Sequence, residues 1–204
     1  MVNSHRLRAL LLAGALCLAG CGQPAAPSES EMYLQPAKLT QEESNILKLV
    51  GGSEPSIFTF SADGRLEAVQ VRAWLLQDGA WEQQSGDFCV LDGGEGRLSL
   101  ELEDLSRHWE LGIQQGEDTS YTSWTAPEEA TFSGLSRTTS LLSEQVPLVY
   151  GEEIPLAVQI FSSQNMVHAY DVQTFFAPEE YAQWGHEAVY AVTACFLREG
   201  EEAS

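Results

Sequence analysis

Two hydrophobic periods divide the chain. Ile46, Leu47, Leu49 and Val50 gather on one side of a helical repeat. Thr40, followed three residues later by Glu43, has the pattern of a capping box, in which each side chain satisfies a backbone N–H of the other residue. Gly51-Gly52 supplies the stop. One helix is therefore predicted, packed on or capping a sheet. From Ser56 the repeat shortens to two. Asp63-Gly64 and Asp78-Gly79 have the composition of two-residue hairpin turns, because a type I′ turn needs positive φ at both central positions. The first turn predicts Phe58 opposite Val69 and Phe60 opposite Glu67. Its apolar face then carries Phe58, Phe60, Val69, Val71, Ala73 and Leu75. The second predicts Leu76 opposite Trp81 and Trp74 opposite Gln83. That register sets Trp74, Leu76 and Trp81 on the other face, together with Arg72.

Further strands follow at short spacing. Residues 97–103 alternate strictly, with Leu98, Leu100 and Leu102 inward, and Trp109, Leu111 and Ile113 repeat the pattern. Strands are also predicted over 119–125, within 132–142 and over 156–161. Residues 187–197 are apolar on both faces, the mark of a central strand. Short strands with turn residues between them predict a mainly β fold, an antiparallel β-sandwich with one N-terminal helix. A possible short second helix comes from Ala177-Pro178-Glu179-Glu180, where proline and two acids suit a first helical turn. The same four residues occur at Ala126–Glu129, by chance or as the trace of a duplication.

Charge narrows the partners. Thirty acidic residues against ten basic ones give a formal charge of −20 in 204 residues. Such a surface repels phosphate backbones and anionic headgroups alike, which argues against nucleic acid as a partner.

The N-terminus changes the picture most. His5, Arg6 and Arg8 precede an apolar run from Ala9 to Gly20 that is too short to span a bilayer, as in an export signal. It ends in Leu18-Ala19-Gly20-Cys21, which resembles the lipobox of bacterial lipoproteins: Leu, two small residues, then an obligatory Cys. The resemblance implies cleavage before Cys21 and a diacylglycerol thioether on its sulfur, with acyl chains (palmitate among them) holding the chain at the outer face of the cell membrane. More than one chain is needed for durable anchoring. The organisation expected is a signal peptide over residues 1–20, a lipidated Cys and disordered tether over 21–31, a sandwich domain over 32–197 and a charged tail over 198–204. In plan this is similar to small β-sandwich lipoproteins of Gram-positive bacteria.

Chemistry is sparse. There is no Gly-x-Ser-x-Gly, Ser-x-x-Lys, phosphate-binding Gly-rich loop or His-Glu-x-x-His, and no cofactor or metal site is predicted. His168 with Asp171, and His186 with Glu187, lack the spacing and third ligand of a closed metal site. Once Cys17 leaves with the signal and Cys21 is acylated, Cys89 and Cys195 remain. Each lies in an apolar run, so the two either form a disulfide outside the cytoplasm or stay as buried thiols. The candidate ligand-binding residues are Trp74 and Trp81 with Arg72 and Gln83: an aromatic strip if their face is uncovered, packing residues if it is covered. The reading is a membrane-anchored binding module for an unknown protein or glycan ligand. Its rivals are an envelope hydrolase whose dispersed acids (Asp104, Asp171 or Glu187) converge in space, and a structural subunit marked by an exposed apolar edge strand.

Overall fold

The alternating segments assemble into two antiparallel sheets facing each other across one apolar core. The computed structural model describes residues 32–50, 56–126, 132, 134–165 and 167–201. Its strands are β1 (Tyr33–Pro36), β2 (Ser56–Ser61), β3 (Leu66–Gln77), β4 (Ala80–Val90), β5 (Glu95–Asp104) and β6 (His108–Gln115). Then follow β7 (Asp118–Thr125), β8 (Ser136–Leu141), β9 (Val146–Pro147), β10 (Glu153–Ser162) and β11 (Ala188–Arg198). One sheet runs β7-β6-β5-β2-β1-β9 and the other β4-β3-β11-β10-β8. The fold is the expected sandwich, with one helix, α1 (Gln41–Val50), and two 3₁₀ segments, Val172–Phe176 and Pro178–Trp184.

The two Asp-Gly pairs behave differently. At Asp78-Gly79 both residues have positive φ, 49° and 82°, and the hairpin forms in the predicted register, Leu76 opposite Trp81 and Trp74 opposite Gln83. Asp63-Gly64 makes no hairpin, and this corrects the predicted pairing of Phe58 with Val69. Among the described residues Asp78 alone is non-glycine with positive φ, and Gly64 is not among the positive-φ glycines. Instead the Asp63 carboxylate accepts the Arg65 N–H at 2.9 Å and Leu66 N–H reaches the Asp63 carbonyl at 3.3 Å. That side-chain turn sends the chain across to the other sheet. So β2 pairs with β1 and β5, while β3 pairs with β4 and β11. The return crossover from β4 to β5 runs beside it: Ala62 N–H donates to the Gly94 carbonyl at 2.8 Å and Gly93 N–H to that of Leu66 at 2.9 Å.

The predicted apolar face survives this change of pairing, because its two halves face each other across the core. Phe58, Phe60, Val69, Val71 and Ala73 are buried, Leu75 half-buried. Leu98, Leu100, Trp109, Leu111 and Ile113 join them, each large apolar side chain worth about 1.5–3 kcal/mol of burial. Strand β11 lies centrally between β3 and β10, buried from Ala188 to Leu197, as its two-sided apolar pattern predicts. One polar side chain ties the layers. Gln159, fully buried on β10, accepts the Leu105 N–H at 2.7 Å and donates to Thr139 Oγ1 at 2.9 Å and the Glu103 carbonyl at 3.3 Å. With both ends engaged, its burial carries little desolvation cost.

The capping box of α1 forms as predicted. Thr40 N–H donates to Glu43 Oε2 at 2.7 Å and Glu43 N–H to Thr40 Oγ1 at 3.2 Å. Its apolar side is not covered, however: Ile46 and Leu49 are 54% and 86% exposed. The helix is linked to the sheet by an ion pair from Glu43 to Arg97 of β5 at 3.1 Å rather than by packing. Leu18–Cys21, the 21–31 tether, Gly51-Gly52, Pro127–Glu129 and residues 202–204 lie outside the described residues. Among the described residues no helix is long and apolar enough to cross a membrane.

Candidate functional site

Strand parity places Arg72, Trp74 and Trp81 on the outer face of the β4-β3-β11-β10-β8 sheet, as predicted, with Gln83 exposed opposite Trp74. The face is covered, so of the two alternatives the packed cluster holds and the open, ligand-binding strip is corrected. The cover is neither α1 nor a second sheet but the two 3₁₀ segments. Asp171 caps the first, its carboxylate accepting the Gln173 N–H at 2.8 Å, and Pro178 opens the second. Phe175 stacks on Trp81 with ring centroids 4.9 Å apart and planes at 21°, and tilts against Trp74 at 6.0 Å. Trp81 Nε1 donates to the Phe175 carbonyl at 2.7 Å and Trp74 Nε1 to Thr193 Oγ1 at 2.8 Å. Both indoles are half-buried with their polar ends satisfied, so this structure uses them for packing.

Beside them lies a pair that sequence reasoning missed. The Arg72 guanidinium sits 5.5 Å from the Trp74 ring centroid and 3.1 Å from Glu153, with side chains 6% and 11% exposed. Burial pushes the Glu153 carboxyl above the usual range, and a hydrogen bond from Thr193 and the charge of Arg72 partly offset that. Cys195 lies on the same face with Ala68 and Leu197, its thiol pushed up to about 11 chiefly by burial. Cys89 pairs in register with Val69 and packs toward the interior. The two sulfurs are on opposite faces of the sheet and both cysteines are free, which corrects the possible disulfide.

The acids named for a hydrolase are engaged locally. Asp104 accepts the Ser106 N–H at 3.0 Å and faces Arg137 at 3.7 Å; Glu187 accepts the Ser163 N–H at 2.7 Å; Asp171 is the cap above. Among the described residues the cavity that Asp104 lines adds Arg107 and Arg137, not a second acid. His168 stacks on Trp184 at 5.0 Å, and the His186 ring is held below its usual pKa chiefly by burial. Among the described residues no three His, Cys, Asp or Glu side chains gather to hold a metal.

The open side of the sandwich is the better-formed site. The edge strands β4 and β7 face each other across the gap between the sheets, and two cavities of about 290 and 470 Å³ lie there, sharing Cys89, Val90, Ile113 and Ser120. The first has an apolar floor from Val69, Leu111 and Ile113. Thr122 of β7 hydrogen-bonds the Asp87 carboxylate of β4 across the gap. Asp87, Asp92, Glu95 and Asp118 line the two cavities, and among the described residues no lysine or arginine does. None of these four acids is in an ion pair with a described residue. Large apolar side chains stand out on the same two strands: Phe88 is 55%, Val90 76% and Tyr121 80% exposed. The sequence carried one sign of this, since residues 88–91 form an apolar run ending a strand, but which strand is an edge is a property of the pairing. Comparison with family models, with curated proteins and with solved structures gave no match.

Proposed function

We propose that the chain is a lipid-anchored extracytoplasmic binding module, fastened to the cell membrane through Cys21, that captures an envelope or extracellular ligand in the cleft between β4 and β7. The basic start, the short apolar run and Leu18–Cys21 support the anchor. The observation that carries the binding reading is the cleft itself, an apolar floor open to solvent beneath an acidic rim. An apolar concavity with a few placed polar groups is the usual form of a ligand site, and here it belongs to a framework made rigid by a two-sheet core.

Two measurements test the two halves. In a bacterial host that processes lipoproteins, the full chain is expected in the detergent phase and Cys21→Ser in the aqueous phase. Unchanged partitioning would remove the anchor. Nile red, a neutral apolar dye, is expected to brighten on binding the cleft. Ser120→Trp, an exposed position on β7 lining both cavities, should fill the mouth and weaken the dye about tenfold or more. Equal dye binding by the variant would show that the cleft is not the site.

A further inference from the structure

We infer that the cleft takes an extended, basic-and-apolar peptide segment of a protein partner, added as a strand to the free edge of β4. The inference rests on the binding reading above and specifies its ligand. Three observations carry it. The cavities follow β4 from Asp87 to Val90 and on to Leu91 and Asp92 beyond its end, a run of about 16 Å at ~3.3 Å per extended residue, which is the shape of an extended backbone rather than of a compact molecule.

The edge itself is available. Leu91 N–H donates to the Glu67 carbonyl at 2.6 Å, so it points toward β3. The antiparallel alternation then turns the N–H groups of Phe88 and Val90 to the free edge. Phe88 N–H is held by the Asp87 carboxylate of its own strand at 2.8 Å, which leaves Val90 as the docking donor. An incoming strand would direct alternate side chains over Val69, Leu111 and Ile113, and the others beside exposed Phe88 and Val90.

Charge selects the occupant. Among the described residues four carboxylates and no basic side chain line the cavities, so lysines or arginines on the incoming strand find partners at Asp92, Glu95 and Asp118. A second copy of this chain would bring another −20 to the same rim and is disfavoured.

The test uses the full, processed chain in detergent micelles and a short, fluorescently labelled peptide of alternating lysine and valine, with a glutamate–valine peptide as control. Binding of the first and not the second is expected. Val90→Pro removes the edge N–H and spares the β3 ladder; it should weaken the peptide about tenfold or more, whereas Val90→Ala, which trims the same side chain and keeps that N–H, should weaken it far less. Hydrogen exchange in the unmutated chain gives a second readout, in which peptide should slow the Val90 amide. Dye binding without peptide binding, Val90→Pro binding peptide as tightly as the parent, or an unslowed Val90 amide would each overturn the inference and leave the cleft reading standing. Loss of the dye as well would remove both. Sedimentation showing a dimer that Val90→Pro dissolves would overturn it in favour of a second copy.

Discussion

At Arg72 and Glu153 a cation and an acid are buried side by side, and their balance depends on pH. Burial raises the Glu153 carboxyl above its ordinary range. A carboxyl raised on folding gives stability that is present below its unfolded pKa and lost as pH rises through the folded one. Removing Arg72 takes away a charge that restrains this rise, so the loss deepens at neutral pH. Arg72→Leu is therefore expected to cost about 3–5 kcal/mol at pH 7, where a buried charge is left alone, and much less at pH 4, where Glu153 holds its proton. Urea denaturation at the two pH values checks this; equal losses would mean that the pair is not the cause. The face occupied by Arg72 was legible from parity. Its partner was not, because Glu153 lies far along the chain and the bulge between Pro155 and Ala157 resets the phase of β10. Cys89 and Cys195 were likewise legible as small apolar residues, but their opposite faces follow from a pairing only the fold supplies.

Elements specified by their own residues were readable. The capping box of α1, the Asp78-Gly79 hairpin and the alternation of β5 and β6 depend on contacts a few residues apart. The Asp63-Gly64 crossover shares a dipeptide with a true hairpin and differs by one carboxylate turning back to the Arg65 N–H, a local choice that composition does not encode. The cover over Trp74 and Trp81 was half legible: Pro178 and two acids announced a short helix, but not the face it would close. Because α1 is held by its cap and one ion pair, its stability is expected to be separable from that of the sandwich. Thr40→Ala should speed amide exchange in the first turn about fivefold without moving the main melting transition. A shared drop in melting temperature would show that the helix is part of the core. The Glu43 carboxyl is lowered to about 2, first by the Thr40 N–H, so the box's contribution is full above the ordinary carboxylate range and is lost progressively as pH falls from there through about 2.

For the whole molecule the decisive pairing is the longest. β11 joins β3 to β10, and Phe196 meets Val69 across more than half the chain. Non-local pairing of this kind slows folding, and a refolding time of about milliseconds to seconds is expected by stopped-flow fluorescence. A chain ending at residue 187 should lose the cooperative thermal transition altogether, since β3 and β10 would each present an apolar edge with nothing between them. A surviving sharp transition in calorimetry would show that the other sheet holds by itself.

The keystone of this arch is set last. While a ribosome is still making the first 187 residues, the strands that will flank β11 have no common neighbour, and the acidic surface keeps the unfinished polypeptide apart from its copies. A polymer built in that order stays pliable until β11 has been made, so its second sheet closes in one step rather than strand by strand.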